Sequence, residues 1–163
     1  MRNCGKIVVV RVQGKTTGGG VGIACAADYC FATEDAAIAL TEINLGIGPF
    51  VIGPYVERKI GKSQFTAMAI DADFRSADWA EQHNIYHCVS GSIIEMDFKI
   101  NQFMEKLGER SDDALALLYT VSWAGTDVFD HFHQERIQIS ARLKLEDSAK
   151  QNIEKIKERL RAK

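Results

Sequence analysis

A run of three glycines is the first feature of this sequence with an evident chemical use. Gly18, Gly19 and Gly20 follow an apolar segment and a short polar connector, and they open a stretch of helix-forming residues. The first amides of a helix have no partner within the helix, and glycine lets a ligand approach them closely. Such a turn can hold a carbonyl oxygen that becomes an oxyanion. Tight packing of the helix against a sheet explains the three glycines equally well.

Glu42 is the second feature with a possible chemical role. It stands between apolar residues in the segment LTEINLG (residues 40–46), directly after a predicted strand. Apolar surroundings raise the pKa of a carboxylic acid, so such a glutamate can act as a proton donor or acceptor. A solvent-exposed glutamate at a helix start or in a loop is the simpler interpretation, and the spacing alone favours it.

The glycine run does not have the pattern of a nucleotide site. It is not followed by the Gly-Lys-Ser/Thr of a phosphate-binding loop, and it does not match G-x-G-x-x-G. The formal net charge of -2 offers no basic surface for a nucleic acid. Basic and acidic residues alternate in the C-terminal tail, as on an ordinary solvated helix; the basic ones are Lys150, Lys155, Lys157, Arg159, Arg161 and Lys163. Nucleic-acid binding is therefore not expected.

The cysteines and histidines predict neither a disulfide framework nor a metal site. The four cysteines form no C-x-x-C pair. His131 and His133 lie two residues apart on a predicted helix and so do not share a face. The chain has no apolar run of membrane-spanning length, and its first residues do not resemble a signal peptide. These observations predict a cytoplasmic protein without membrane association.

The hydrophobic pattern predicts an α/β fold in two regions, residues 1–90 and 91–163. Strands are predicted over residues 6–12, 29–33, 37–40 and 85–89, with residues 13–17 as a polar connector. The helices of the first region are predicted over residues 21–27, 50–60 and 62–70, with Gly61 as a break, followed by a helix that Ser76 caps. Asn84 can take the left-handed conformation after that helix. The second region is predicted to be all helical, over residues 93–107, 111–123 and 126–143 and from residue 147 or 148 onward.

Several segments resemble those of the crotonase (enoyl-CoA hydratase/isomerase) superfamily and occur in the same order. Residues 8–22 (VVVRVQGKTTGGGVG) are similar to the strand, Gly-Gly-Gly turn and helix of that family, and Asp28 matches the acidic residue that commonly ends the helix. Residues 37–49 (AIALTEINLGIGP) resemble its F-x-x-P-E-x-x-L-G-x-x-P segment. Arg58, Gly61 and residues 75–89 fit later segments.

The resemblance implies a fold, a substrate class and a set of site residues. The expected fold is part of the crotonase-like ββα spiral, followed by a helical C-terminal region. Gly19 would donate a backbone amide to an enolate oxyanion, and Glu42 would be the acid/base. An acyl-CoA substrate would contact the residues around these two, namely Gly18, Gly20, Gly22, Thr41, Leu45 and Pro49. Coenzyme A is part of the substrate, so no separate cofactor is expected, and the family commonly forms homotrimers or hexamers.

The sequence departs from the family pattern at three places. Hydratases of the family use two glutamates, and the first would fall at Gly22, which has no side chain. The lone Glu42 fits better the isomerases of the family, which can shuttle a proton with the second glutamate alone. Phe50, Val51 and Ile52 are bulkier than the usual glycine-rich loop and should reshape the acyl pocket. The family segment that precedes residue 6, which supplies the second oxyanion amide, is absent, so this chain alone is expected to be poorly active.

A catalytically inactive assembly or binding module is the alternative function. Gly22 and the missing N-terminal segment favour it. In that case residues 126–143, an amphipathic helix, would form an interface between subunits. The same helix could instead cover its own domain.

Overall fold

Three parallel strands form the main sheet, in the order β1, β3, β5. The computed structural model describes residues 1–161, apart from the side chains of residues 159 and 160. The strands are β1 (Val9–Val12), β3 (Tyr29–Thr33) and β5 (Cys88–Ser90). Val9 pairs with Tyr29 at one edge of β3, and Phe31 pairs with Cys88 at the other. The α/β prediction is therefore confirmed.

The outer two strands are shorter than predicted because other groups take over their backbone hydrogen bonds. At residues 6–8, the amide of Val8 donates to the Asp28 carboxylate at 2.8 Å. At residues 85–87, Ile85 and Tyr86 donate their amides to the carbonyl of Ala80 at 2.9 and 3.2 Å. These bonds close the turn after the preceding helix, so the ladder of β5 begins only at Cys88.

A second, smaller sheet lies where the sequence predicts only a polar connector. β2 (Lys15–Thr17) pairs in parallel with β4 (Ala37–Ala39), and Thr17 stands opposite Ala39. The connector prediction for residues 13–17 was wrong. Lys15 and Thr17 are exposed and only Thr16 is half-buried, so this edge strand lacks the apolar residues by which a strand is recognised.

Two helices build the core between these sheets. α1 (Gly19–Ala26) packs against α2 (Gly53–Asp71). Their buried side chains include Val21, Ala24 and Cys25 of α1 and Val56 and Met68 of α2. Gly61, at φ 76° and ψ 159°, interrupts α2 at the predicted break.

The remaining helices follow in sequence and begin at serine caps where the sequence predicts them. They are α3 (Ala77–Gln82), α4 (Ile93–Gly108), α5 (Asp112–Ser122), α6 (Val128–Leu145) and α7 (Asp147–Arg161). The hydroxyls of Ser76 and Ser111 accept amide hydrogen bonds, and Asn84 has the predicted positive φ of 61°. No helix within residues 1–161 combines the length and hydropathy needed to cross a membrane.

The second, helical region contacts the main sheet through its first helix. α4 packs against β3 and β5, and its Phe103 stacks on Tyr29 with ring centroids 4.4 Å apart. The division into residues 1–90 and 91–163 stays a prediction. Residues 162 and 163, including the basic Lys163, lie outside the described part of the chain.

Candidate active site

The ends of β2 and β4 bring the glycine turn and Glu42 to the same edge of the smaller sheet. Thr17 and Ala39 are partners in the ladder, and each is the last residue of its strand. The chain continues from Thr17 into Gly18, whose amide donates to the carbonyl of Ala39 at 3.3 Å. From Ala39 it continues through Leu40 to Glu42. Crevices at the carboxyl ends of parallel strands are the usual ligand sites of α/β folds.

Gly18 turns the chain into α1 with a backbone that favours glycine. Its φ is 53° and its ψ is −121°, and it is followed by Gly19, the first residue of the helix. The amide of Gly19 therefore has no preceding carbonyl within the helix to bond. The position that a Cβ on Gly18 would occupy lies 3.2 Å from Oε1 of Glu42. The turn and the carboxylate thus face each other, as the hypothesis from the sequence requires.

Glu42 begins a short 3₁₀ turn, Glu42–Leu45, which ends at Gly46 in the left-handed conformation at φ 77°. The amide of Gly46 donates to the carbonyl of Ile43 at 3.0 Å. α7 packs directly against this turn, since Cα of Ala149 lies 3.2 Å from the position of a Cβ on Gly46. The last described helix therefore holds the segment that carries the carboxylate.

The carboxylate of Glu42 is only partly satisfied by the protein. Its Oε2 atom is buried and has no hydrogen-bond partner among the described residues. Burial raises the pKa of Glu42 above its ordinary value of 4.5, although a hydrogen bond from its own backbone amide opposes the shift. A half-buried acid with one oxygen that has no protein partner in the described part of the chain is suited to exchange a proton with a ligand.

A cleft of about 470 Å³, which we call the Glu42 cleft, opens at this carboxylate. Gly19, Glu42 and Pro49 line it, as the sequence hypothesis predicts for contacts with one ligand. The loop after the 3₁₀ turn and the outer helix α6 supply the other walls: Ile47, Gly48, Val51, Ile52, Ile137, Ser140, Ala141 and Lys144.

The other residues assigned from the sequence lie around the cleft but do not line it. Gly18 backs the carboxylate, and a Cβ on Gly20 would stand 2.8 Å from the Thr16 methyl group, so Gly20 serves the packing of α1 on β2. Thr41 precedes the 3₁₀ turn and Leu45 ends it. Gly22 lies one turn further along α1, against Ile52.

Ile52 occupies the space that a side chain at position 22 would need. A Cβ on Gly22 would lie 2.5 Å from Cγ2 and 2.8 Å from Cβ of Ile52. Ile52 also lines a second, adjoining cleft of about 220 Å³ together with Gly19 and Gly22. Its branched side chain therefore stands between the two clefts as an apolar wall.

Arg136 of α6 fastens that helix over the start of α2. Its Nη1 atom donates to the carbonyl of Phe50 at 3.3 Å and lies 3.9 Å from Oε1 of Glu57. A Cβ on Gly53 would stand 2.8 Å from the same nitrogen, so a side chain there would displace the guanidinium from this position. The guanidinium also lies over the Phe132 ring, 4.9 Å from its centroid.

The sequence reasoning missed the part that α6 plays in the cleft. Its amphipathic pattern indicates that one face is covered but not by what, and both an interface between subunits and cover for its own domain are compatible with the sequence. Part of that face, from Ile137 to Lys144, lines the Glu42 cleft of its own chain. Within residues 1–161, no three His, Cys, Asp or Glu side chains come together as a group able to hold a metal ion.

Known proteins resemble this chain in sequence. A model of the enoyl-CoA hydratase/isomerase family matches residues 1–162. The chain is 30% identical over 111 residues to a 2,3-dehydroadipyl-CoA hydratase of Escherichia coli, which is 68% of this chain and 43% of that protein. It is 30% identical over 64 residues to a bacillaene synthase dehydratase of Bacillus subtilis, which is 39% of this chain and 25% of that protein.

A solved structure has the same fold. The crystal structure of an enoyl-CoA hydratase from Mycobacterium avium subsp. paratuberculosis superposes with a TM-score of 0.88 at 21% identity, over 96% of this chain and 65% of that chain. This likeness confirms the fold that the sequence predicts, a partial ββα spiral with helices after it. The chain spans less than half the length of each of these two curated relatives.

Proposed function

Because this chain belongs to the enoyl-CoA hydratase/isomerase family, we propose that the Glu42 cleft binds an acyl-CoA thioester and moves a proton on the acyl chain next to its carbonyl. One observation carries the proposal. Oε1 of Glu42 faces the glycine turn at 3.2 Å from the position of a Cβ on Gly18, while Oε2 is buried without a partner. A carbonyl oxygen at the Gly19 amide would lie beside a carboxylate free to exchange a proton.

The chemistry follows from the two groups that face each other. Removal of a proton beside a thioester carbonyl leaves an enolate, whose charge gathers on the oxygen. A backbone amide at the start of α1, aided by the helix dipole, stabilises that charge. Glu42 takes the proton and returns it further along the chain. Its raised pKa favours this role, since an acid/base works best when its pKa is close to the working pH.

The wall formed by Ile52 supports isomerisation over hydration. Hydration requires water to be held and activated beside the double bond, and the family device for this is a second glutamate. Here the matching position is Gly22, and the adjoining space is filled by an isoleucine. An apolar wall excludes water from that side, which suits transfer of a proton within the substrate. The family resemblance also leads us to propose assembly into a trimer or hexamer and a cytoplasmic location.

An inactive acyl-CoA binding module is the second candidate function. The same pair, Gly22 and Ile52, supports it. The first of the two family glutamates would stand at position 22, and no other carboxylate among the described residues of the site takes its place. The two candidates differ in turnover but share ligand binding. Activity has to be measured on the chain as it exists, for which slow turnover is the expectation.

Isomerisation of a 3-enoyl-CoA and hydration of crotonyl-CoA, measured in parallel, test the proposal. We expect isomerisation to exceed hydration, and Glu42→Gln to abolish it while acyl-CoA binding by calorimetry is retained. Glu105→Gln, on the exposed side of α4, is the matched control and should behave as the parent chain. Binding without turnover in the parent chain would support the binding module instead. Equal turnover in Glu42→Gln and the parent would refute the assignment of Glu42.

A further inference from the structure

A further cleft of about 430 Å³ lies at the end of the main sheet where β3 begins with Tyr29. We call it the Lys59 cleft, after the one lysine that lines it. It shares no lining residue with the Glu42 cleft. Its apolar walls come from Tyr29, Phe103, Leu107 and Leu118. Arg58 and Arg110 stand beside them, so the cleft combines apolar surface with positive charge.

The hydrogen bonds of His87 bear on the protonation state of Lys59. The amide of Cys30 donates to Nδ1 of His87 at 3.0 Å, so a neutral ring carries its proton on Nε2. That Nε2 atom lies 3.5 Å from Nζ of Lys59. An ammonium group has no lone pair and cannot accept this proton. The contact between the two side chains is a hydrogen bond only when Lys59 is an uncharged amine.

The groups around Lys59 do little to stabilise its protonated, positively charged form. Burial lowers the pKa of Lys59, and the neighbouring Arg58 charge lowers it further. Burial raises the pKa of the Cys25 and Cys30 thiols to about 12, so neither is an anion at neutral pH. Burial lowers the pKa of His87, and the charge of Lys59 lowers it further. Both effects favour the neutral imidazole ring beside the amine.

Asp28 is the remaining acidic group near Lys59, and both of its oxygens are engaged elsewhere. Oδ2 accepts from the amide of Val8 at 2.8 Å, and Oδ1 accepts from Nε1 of Trp123 at 3.0 Å. Arg58 stacks over the Trp123 ring at 4.2 Å and donates to the carbonyl of Ser122 at 2.9 Å. This frame fixes Arg58 at the edge of the cleft.

We propose that the Lys59 cleft is a self-acylation site, at which Nζ of Lys59 takes the acyl group of an acyl-CoA thioester. The uncharged amine gives up its hydrogen bond with Nε2 of His87 and uses the released lone pair to attack the thioester carbonyl, so that the C–N bond forms and the C–S bond breaks. The thiolate leaves and takes one of the two amine protons, so the products are an amide on Lys59 and the free thiol. Arg58 and Arg110 attract the phosphates of the nucleotide, and the apolar walls receive the acyl chain. The inference rests on the proposed function only for the class of ligand.

Site-resolved mass spectrometry of the intact chain, incubated with butyryl-CoA, tests this proposal. Lys62 is the matched control because it is exposed and lies on the same helix. We expect Lys59 to be butyrylated several-fold faster than Lys62, because burial lowers the pKa of Lys59 and leaves more of its amine in the uncharged, nucleophilic form. The rate at Lys59 should also level off at a lower pH than the rate at Lys62. Equal rates at the two lysines would overturn the proposal.

Two further comparisons separate the parts of the argument. Arg110→Ala should slow labelling of Lys59 by butyryl-CoA but not by S-butyryl-N-acetylcysteamine, a thioester without the nucleotide. An equal effect on both reagents would refute recognition of the phosphates. Lys59→Arg should remove the fast-labelled site, whereas Lys62→Arg should retain it. Glu42→Gln should leave labelling of Lys59 unchanged, so failure at one cleft is distinguishable from failure at the other.

Discussion

Cγ2 of Ile52 lies 2.5 Å from the point at which a Cβ on Gly22 would stand. The two residues therefore depend on each other: the bulk of one is possible only because the other has no side chain. This pair distinguishes the site from one with two carboxylates, and it can be changed one residue at a time.

The Gly22–Ile52 pair should show strong coupling in stability. Gly22→Ala places a methyl group against Ile52, and we expect it to lower the free energy of unfolding by about 1–3 kcal/mol, as overpacking in a core does. Ile52→Ala in the same chain should recover part of that loss, because it clears the space. Urea denaturation of the parent, both single variants and the double variant gives the coupling energy. Gly108→Ala, where a Cβ would contact nothing within 4 Å, is the control. Additive effects of the two substitutions would show that Ile52 does not fill the space beside position 22.

Glu42→Gln should change stability in a way that depends on pH. The pKa of Glu42 is raised in the folded chain, so the folded state binds its proton more tightly than the unfolded state. The stability from this protonation is complete below the unfolded pKa and is lost as the pH rises through the folded pKa. We therefore expect the variant to be more stable than the parent at pH 7 and the difference to vanish towards pH 4. Urea denaturation across this range, with Glu105→Gln as control, measures it. A difference that is constant with pH would argue against a buried carboxyl group.

Catalysis should depend on the same titration. If Glu42 acts as the base, kcat/KM for a 3-enoyl-CoA should rise with pH through an apparent pKa above 4.5, the ordinary value for the side chain. Glu42→Gln should lower kcat/KM by about a hundredfold or more, which is typical for loss of a general base. A pH–rate profile of the parent chain checks this expectation. A flat profile between pH 4 and 8 would indicate that another group transfers the proton.

Asp28 should matter more to stability than its half-buried position suggests. Its two oxygens accept hydrogen bonds from the Val8 amide, just before β1, and from the Trp123 indole, just after α5. Asp28→Ala leaves both donors without a partner, and we expect a loss of about 2–4 kcal/mol in the free energy of unfolding. Asp73→Ala, at an exposed position, is the control and should change little. Thermal or urea unfolding of both variants distinguishes a carboxylate that connects two distant segments by hydrogen bonds from an ordinary surface carboxylate.

Gly46 should be intolerant of any side chain for two reasons that a matched variant separates. Gly46 and Gly125 share a φ of 77°, so alanine is strained at both. A Cβ on Gly125 would meet nothing within 4 Å, whereas a Cβ on Gly46 would press on Ala149 of α7. We expect Gly46→Ala to destabilise the chain more than Gly125→Ala and to weaken acyl-CoA binding, which calorimetry would detect. Equal losses at the two positions would mean that α7 does not bear on the turn.

The elements with local signals were predictable from the sequence. Ser76 and Ser111 cap their helices because a hydroxyl before an apolar helical stripe accepts the free amides, and Gly61 interrupts α2 at the expected residue. β2 was not predictable, because an edge strand of Lys and Thr residues has no apolar alternation to reveal it. Its pairing with β4 is long-range information that the segment itself does not contain.

The site was predictable in part, for a similar reason. That Glu42 and Gly19 lie at one cleft could be predicted because their segments carry a family pattern, whereas their chemical roles stay a prediction. The wall formed by Ile52 and the α6 side of the cleft depend on contacts between distant segments. Phe50 to Ile52 stand out in the sequence only as a bulky departure, and it takes the fold to show that Ile52 fills the space beside Gly22.

The contact of Ala149 with Gly46 connects α7 to the short 3₁₀ turn that carries Glu42. Thermodynamic linkage makes such a connection reciprocal. A ligand that stabilises the turn at Glu42 also stabilises the packing of α7 on it, and a change that loosens α7 lowers the affinity for that ligand by the same factor. Amide hydrogen exchange along residues 147–161 should therefore slow when a ligand occupies the Glu42 cleft, although the helix itself need not touch the ligand.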